Sequence, residues 1–99
     1  MTFPTANEKN PVHHDLEASR FEILIDGARA VLEYQQQEDK LIFTHTGVPA
    51  RLEGQGIGSR LARAGLDYAR QQGLKVVPLC SFVAAYIQKH PEYQDLLEA

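Results

Sequence analysis

The chain has no tryptophan, a single cysteine and no apolar run approaching a membrane span. Each shortage excludes something. Cys80 alone cannot close an internal disulfide, which points to a reducing compartment. Without roughly 20 consecutive apolar residues no spanning helix is expected. No secretory leader is visible either, so the reading is a cytoplasmic protein with no membrane partner. Basic charge is also short: 10 Lys and Arg against 13 Asp and Glu leave a net charge of −3. That is not the basic face of a dedicated nucleic-acid binder. His13 and His14 are adjacent, but no further ligands join them at a suitable spacing, so no metal is expected. There are no repeats and no low-complexity tracts.

What remains is ordinary for a globular chain. Its 99 residues, 43% hydrophobic and 23% charged, can form one small domain with a modest core. Residues 1–19 hold Pro4, Asn7, Asn10 and Pro11 among mixed charges, without a hydrophobic period. They read as a flexible lead-in to a domain over 20–99. From Arg20, Phe21, Ile23 and Ile25 alternate with Glu22, Leu24 and Asp26. Asp26-Gly27 then predicts a two-residue hairpin turn. Ala28, Ala30, Leu32 and Tyr34 continue the alternation, and a polar turn over 36–39 reverses the chain again. A third strand is expected from Lys40 to about Val48, with His45 on the face of Leu41 and Phe43.

The period then changes. Gly54 to about Gln72 reads as a helix, with Ile57, Leu61, Ala64 and Tyr68 in one stripe and Ala62, Leu66 and Ala69 beside it. Arg60, Arg63, Asp67, Arg70 and Gln71 line the opposite, solvated face, and Gly73 ends the helix. Leu74 to Leu79 is a short apolar run, read as a buried parallel strand closing a right-handed crossover. Pro78 cannot donate to a ladder, so pairing weakens there and leaves a gap. Ser81 is expected to cap a second helix from Phe82 to about Lys89, and Pro91 to start a last turn.

The stretch from Val48 to Leu61 carries the chemistry. Gly54, Gly56 and Gly58 alternate with other residues just before a helix. Glycines admit close backbone approach, and a helix N-terminus presents free N–H groups to an anion. The Gly-Lys-Ser/Thr ending of a P-loop is absent. The third glycine also comes one residue early for a dinucleotide fingerprint. Arg51-x-x-Gly54-x-Gly56, after a strand and before a helix, resembles the R/Q-x-x-G-x-G/A signature of the GNAT superfamily of acyl-CoA N-acyltransferases. The order β-β-β-α-β-α resembles that fold's core, and three further segments agree: 43–49, 73–80 and 82–93. The chain is similar to short single-domain members over about Arg20 to Tyr93. The expected class is α/β (α+β): an antiparallel meander, a β-α-β crossover and a C-terminal helix.

The resemblance implies acetyl-CoA as co-substrate, with the acetyl group passed to an amine on a small molecule or a protein. It implies that backbone N–H groups of Gly54, Gln55, Gly56, Ile57, Gly58 and Ser59 hold the pyrophosphate, with Arg60 adding charge and Arg51 completing the signature. The pantetheine arm would pair along Thr46 to Val48, and the acetyl group would lie between that strand and the one ending at Cys80. Gly47 stands where relatives often carry an acidic residue, and the asparagine that many larger relatives place near the start of the final helix is absent. The fold's N-terminal helices are missing, so the acceptor pocket is either shallow or completed by a protein partner or a second copy. Three residues are candidates for catalysis. Cys80 could accept the acetyl group in a ping-pong route or be a buried small side chain. Tyr86 could be the acid or a core aromatic. His45 could be a base or a packed histidine. A module that holds CoA without efficient turnover, and contacts a protein partner, remains the alternative.

Overall fold

Alternating strands and tight turns build most of this molecule. The structure, a computed structural model, describes residues 10–97. Five strands form one sheet in sequence order: β1 (His13–Asp15), β2 (Arg20–Ile25), β3 (Ala28–Gln37), β4 (Lys40–Gly47) and β5 (Lys75–Pro78). The first four are antiparallel neighbours, and β5 lies parallel to β4. At the β2–β3 turn both Asp26 (φ 50°) and Gly27 (φ 80°) are left-handed, the geometry that matches strand twist in a two-residue hairpin.

A 3₁₀ turn at Ala50–Leu52 follows β4 and leads to helix α1 (Ile57–Gln72). Gly73, at φ 69°, ends α1, as expected. After β5 come helix α2 (Ser81–Lys89) and a 3₁₀ helix at Pro91–Leu96. On β3, Ala30, Leu32 and Tyr34 are buried, while Arg29, Glu33 and Gln35 are exposed. The helices pack on the buried side, where Leu41 and Phe43 of β4 join the core. Gly65 lets α1 lie flat on the sheet, because a Cβ there would sit 2.8 Å from Phe43 Cε1.

Several sequence expectations are corrected. Residues 13–15 form an edge strand where a flexible lead-in was expected; residues 1–9 of that segment lie outside the described residues. A three-residue strand is too short to show a period. It is held through His14, whose ring stacks on Phe21 (4.0 Å between centroids), meets Tyr68 edge-on (4.5 Å) and places Nε2 2.6 Å from Tyr34 Oη. Helix α1 begins at Ile57, not Gly54, and its buried stripe centres on Leu61, Ala62, Gly65, Leu66 and Ala69, with Ala64 and Tyr68 at the rim. Helix α2 includes Ser81, so Cys80 takes the N-cap position and no side chain caps the helix.

Candidate functional site

The ladder between β4 and β5 runs from Lys40↔Lys75 to Phe43↔Pro78 and stops there. Pro78 has no N–H to continue it. The chain turns instead, with Leu79 N–H donating to the Val77 carbonyl at 3.2 Å and Cys80 N–H to the Phe43 carbonyl at 3.0 Å. Beyond that last rung β4 continues to Gly47, paired with β3 through Leu32↔Thr46 and Val31↔Gly47. Among the described residues no strand pairs with the other edge of β4 past Phe43.

A bulge re-aims the side chains on this stretch. Tyr34 opposes Phe43 and Glu33 opposes His45, which leaves Thr44 as an extra residue. One extra residue inverts the alternation. His45 therefore lies on the helix-free face and is exposed, which corrects the expectation that it shares the face of Leu41 and Phe43. Its Nε2 sits 3.1 Å from where a Gly47 Cβ would be. Thr46 turns to the face of Leu32, and its Oγ1 lies 2.9 Å from Cys80 Sγ, tying the diverging strands together. Cys80 is buried.

The glycine loop supplies the other wall. Leu52 is buried and anchors it, while Gly54 (φ 83°) and Gly56 (φ 75°) take left-handed conformations that L side chains resist. The first bond of α1 runs from Arg60 N–H to the Gly56 carbonyl at 3.1 Å. The N–H groups of Ile57, Gly58 and Ser59 thus have no acceptor within the helix, and no side chain caps them. They stand at the positive end of the helix dipole. A cavity of about 550 Å³ opens here, lined by Thr46, Gly47, Val48, Leu52, Glu53, Gly54, Gly56, Ile57, Gly58, Ser59 and Phe82. Phe82, half exposed, reaches over Gly58: a Cβ on Gly58 would meet its Cζ at 2.7 Å.

The cavity gathers seven of the expected binding residues: Thr46, Val48, Gly54, Gly56, Ile57, Gly58 and Ser59. Arg51, Gln55 and Arg60 do not line it. Arg51 Nη2 donates to the Asp26 carbonyl at 2.8 Å, and Gln55 Nε2 donates to the Arg51 carbonyl at 3.4 Å. Arg60 donates to the Asn10 carbonyl, beside a smaller groove that it shares with Arg63 and Asp67. Burial, helped by the charge of Arg63, lowers the Arg60 pKa. Cys80 stands behind Thr46. Tyr86 is buried on α2 with its ring stacked on His90 at 3.9 Å. Burial pushes its hydroxyl pKa up, against a smaller opposing pull from Arg63. Gly47, Leu52, Glu53 and Phe82 line the cavity without having been singled out as site residues. The position of Leu52 and Glu53 inside the signature was a signal for those two, but the reach of Phe82 had none.

Among the described residues no three His, Cys, Asp or Glu side chains are grouped to hold a metal ion, and no helix is long and apolar enough to cross a membrane. The family profile for GCN5-related N-acetyltransferases matches residues 20–96. The chain belongs to this family. Among curated relatives, Protein NATD1 of Mus musculus is 33% identical over 88 residues, covering 86% of this chain and 80% of its own. Protein NATD1 of Homo sapiens is likewise 33% identical, with 78% of its length covered. Among solved structures, the NMR solution structure of a GCN5-like candidate N-acetyltransferase from Staphylococcus aureus superposes with a TM-score of 0.73 at 30% identity. The match covers 96% of this chain and 92% of that one. The mixed five-stranded sheet with its glycine-loop helix is thus the GCN5-related fold in short form.

Proposed function

We propose that the protein binds acetyl-CoA in the cavity between the glycine loop and β4 and transfers its acetyl group to an amine. One observation carries this reading. The uncapped N-terminus of α1 and the free edge of β4 open onto the same cavity. Uncapped N–H groups at a positive dipole end suit a pyrophosphate. A free strand edge suits an amide-bearing chain such as pantetheine. The backbone of Gly54, Gly56, Ile57, Gly58 and Ser59 would hold the phosphates. Thr46 to Val48 would align the arm, and a backbone N–H near Val48 would stabilise the developing oxyanion. Phe82 would cover the arm from the α2 side.

The acceptor amine must lose a proton before it attacks. In direct transfer, His45 is the candidate base, reached from the helix-free face, and Tyr86, whose raised pKa keeps its proton, is the candidate acid. In the ping-pong route the Cys80 sulfur attacks the thioester as its thiol proton passes to the departing CoA sulfur, and the acetyl group then passes to the amine, whose proton returns to Cys80.

A second reading is a CoA-binding module with little turnover. What favours it is that Cys80, His45 and Tyr86 all lie outside the cavity lining. An amide-NMR titration with acetyl-CoA, followed by intact mass on the same sample, separates these. The expected result is a shift of the Gly54, Gly56 and Gly58 amides. If none of the three moves at millimolar ligand, both readings fail. A mass gain of one acetyl group that Cys80→Ala abolishes establishes the ping-pong route. Shifts without turnover across a panel of amines select the binding module.

A further inference from the structure

The N-terminal arm, residues 10–15, is fastened at its inner face by one ionisable ring. β1 meets the sheet through three residue pairs, at one edge, and His14 is the residue of that strand packed against aromatic side chains. Phe21 of β2 covers one face of the imidazole, and Tyr68 of α1 meets it edge-on. Tyr34 of β3, itself buried, places its hydroxyl 2.6 Å from Nε2. Ahead of the strand, Val12 packs against the core and the Asn10 carbonyl accepts from Arg60 of α1.

We propose that His14 is a proton-sensitive latch, which holds the N-terminal arm on the sheet and α1 while its ring is neutral and releases it when the ring is protonated. In the neutral tautomer that carries its proton on Nδ1, Nε2 accepts from the Tyr34 hydroxyl. Adding a proton makes Nε2 a donor, so that two hydrogens face each other. The Tyr34 hydroxyl must then rotate, and its own hydrogen has to find another acceptor. The charge also has to sit half-buried between rings. Among the described residues the ring faces Phe21 of β2, Tyr34 of β3 and Tyr68 of α1. Phe21 is apolar, and burial pushes the Tyr34 hydroxyl pKa up, so that hydroxyl keeps its proton near physiological pH. On β1 itself His13 disfavours a charge at His14, while Asp15 favours one but is partly engaged with Arg20 at 4.0 Å. Burial and His13 together hold the His14 pKa below its ordinary value. The undocked ring therefore takes up its proton at a higher pH than the docked one. Docking is complete above the free-histidine range and is lost as pH falls through it towards the docked value.

The test uses the full chain and amide hydrogen exchange read by NMR, from about pH 7.5 to about pH 5, expressed as protection factors so that intrinsic exchange rates cancel. Protection of the β1 amides that bond to β2 is expected to collapse on acidification while that of β3 persists, in step with the titration of the His14 ring. His14→Phe is expected to remove the pH dependence. Tyr34→Phe, which deletes only the hydroxyl, is expected to raise the pH at which β1 loosens. Protection of β1 that ignores pH overturns the proposal. So does a Tyr34→Phe midpoint equal to the wild-type one. Should His14→Phe fail to fold, the wild-type and Tyr34→Phe curves decide alone.

Discussion

Tyr93 shows how much one hydroxyl can report. It donates to Asp67 Oδ1 at 2.8 Å, joining the last 3₁₀ helix to α1. Burial first, and then the bond to Asp67, push its pKa up to about 12 from 10.0. The unfolded chain loses this proton before the folded one does. The stability linked to it is therefore present below about pH 10 and drains away as pH rises towards 12. Tyr34 and Tyr86 are raised as well, so they share the alkaline slope. Urea unfolding between those limits should fall less steeply with pH in Tyr93→Phe than in the wild type, and identical slopes would refute the assignment. At this scale the sequence was uneven. Gly54 and Gly56 were legible because a left-handed turn before a helix needs glycine. The pairing of Thr46 with Cys80 was not, since it depends on which way a bulge turns a side chain. Nor was the engagement of Arg60 by the Asn10 carbonyl, a contact that spans 50 residues of sequence.

Among the elements, α1 and its seat on the sheet give the sharpest prediction. Alanine is a better helix former than glycine by about 1 kcal/mol, so Gly65→Ala would stabilise an isolated helix. Here its Cβ would lie 2.8 Å from Phe43 Cε1 and 3.1 Å from Leu32 Cδ2. Both side chains are fully buried, so neither can yield cheaply. We expect a net loss of about 1–2 kcal/mol, because overpacking outweighs propensity. Urea denaturation with an unchanged m value would measure it, and a stabilised variant would refute the packing argument. The hairpins and the crossover were legible from alternation, Asp26-Gly27 and the change of period at the glycine loop. β1 was not, because three residues after a proline leave no pattern. The bulge at Thr44 was not either: an inserted residue has no composition of its own, and it carried His45 to the opposite face.

Taken whole, the sheet joins two kinds of pairing. Every antiparallel pair links strands that follow one another directly, whereas β4 and β5 meet only after the whole of α1 has intervened. Local closures lose little chain entropy, and the crossover must close a loop from Phe43 to Pro78. The seam flanking the cavity is therefore the last register we expect the chain to find. An interaction made after the barrier leaves the folding rate alone and slows unfolding. Stopped-flow mixing with and without acetyl-CoA should then show one refolding rate and two unfolding rates, and a ligand-accelerated refolding limb would contradict this order. On the proposed reading, a ligand held in that opening would lengthen the life of the native state without changing the speed of assembly.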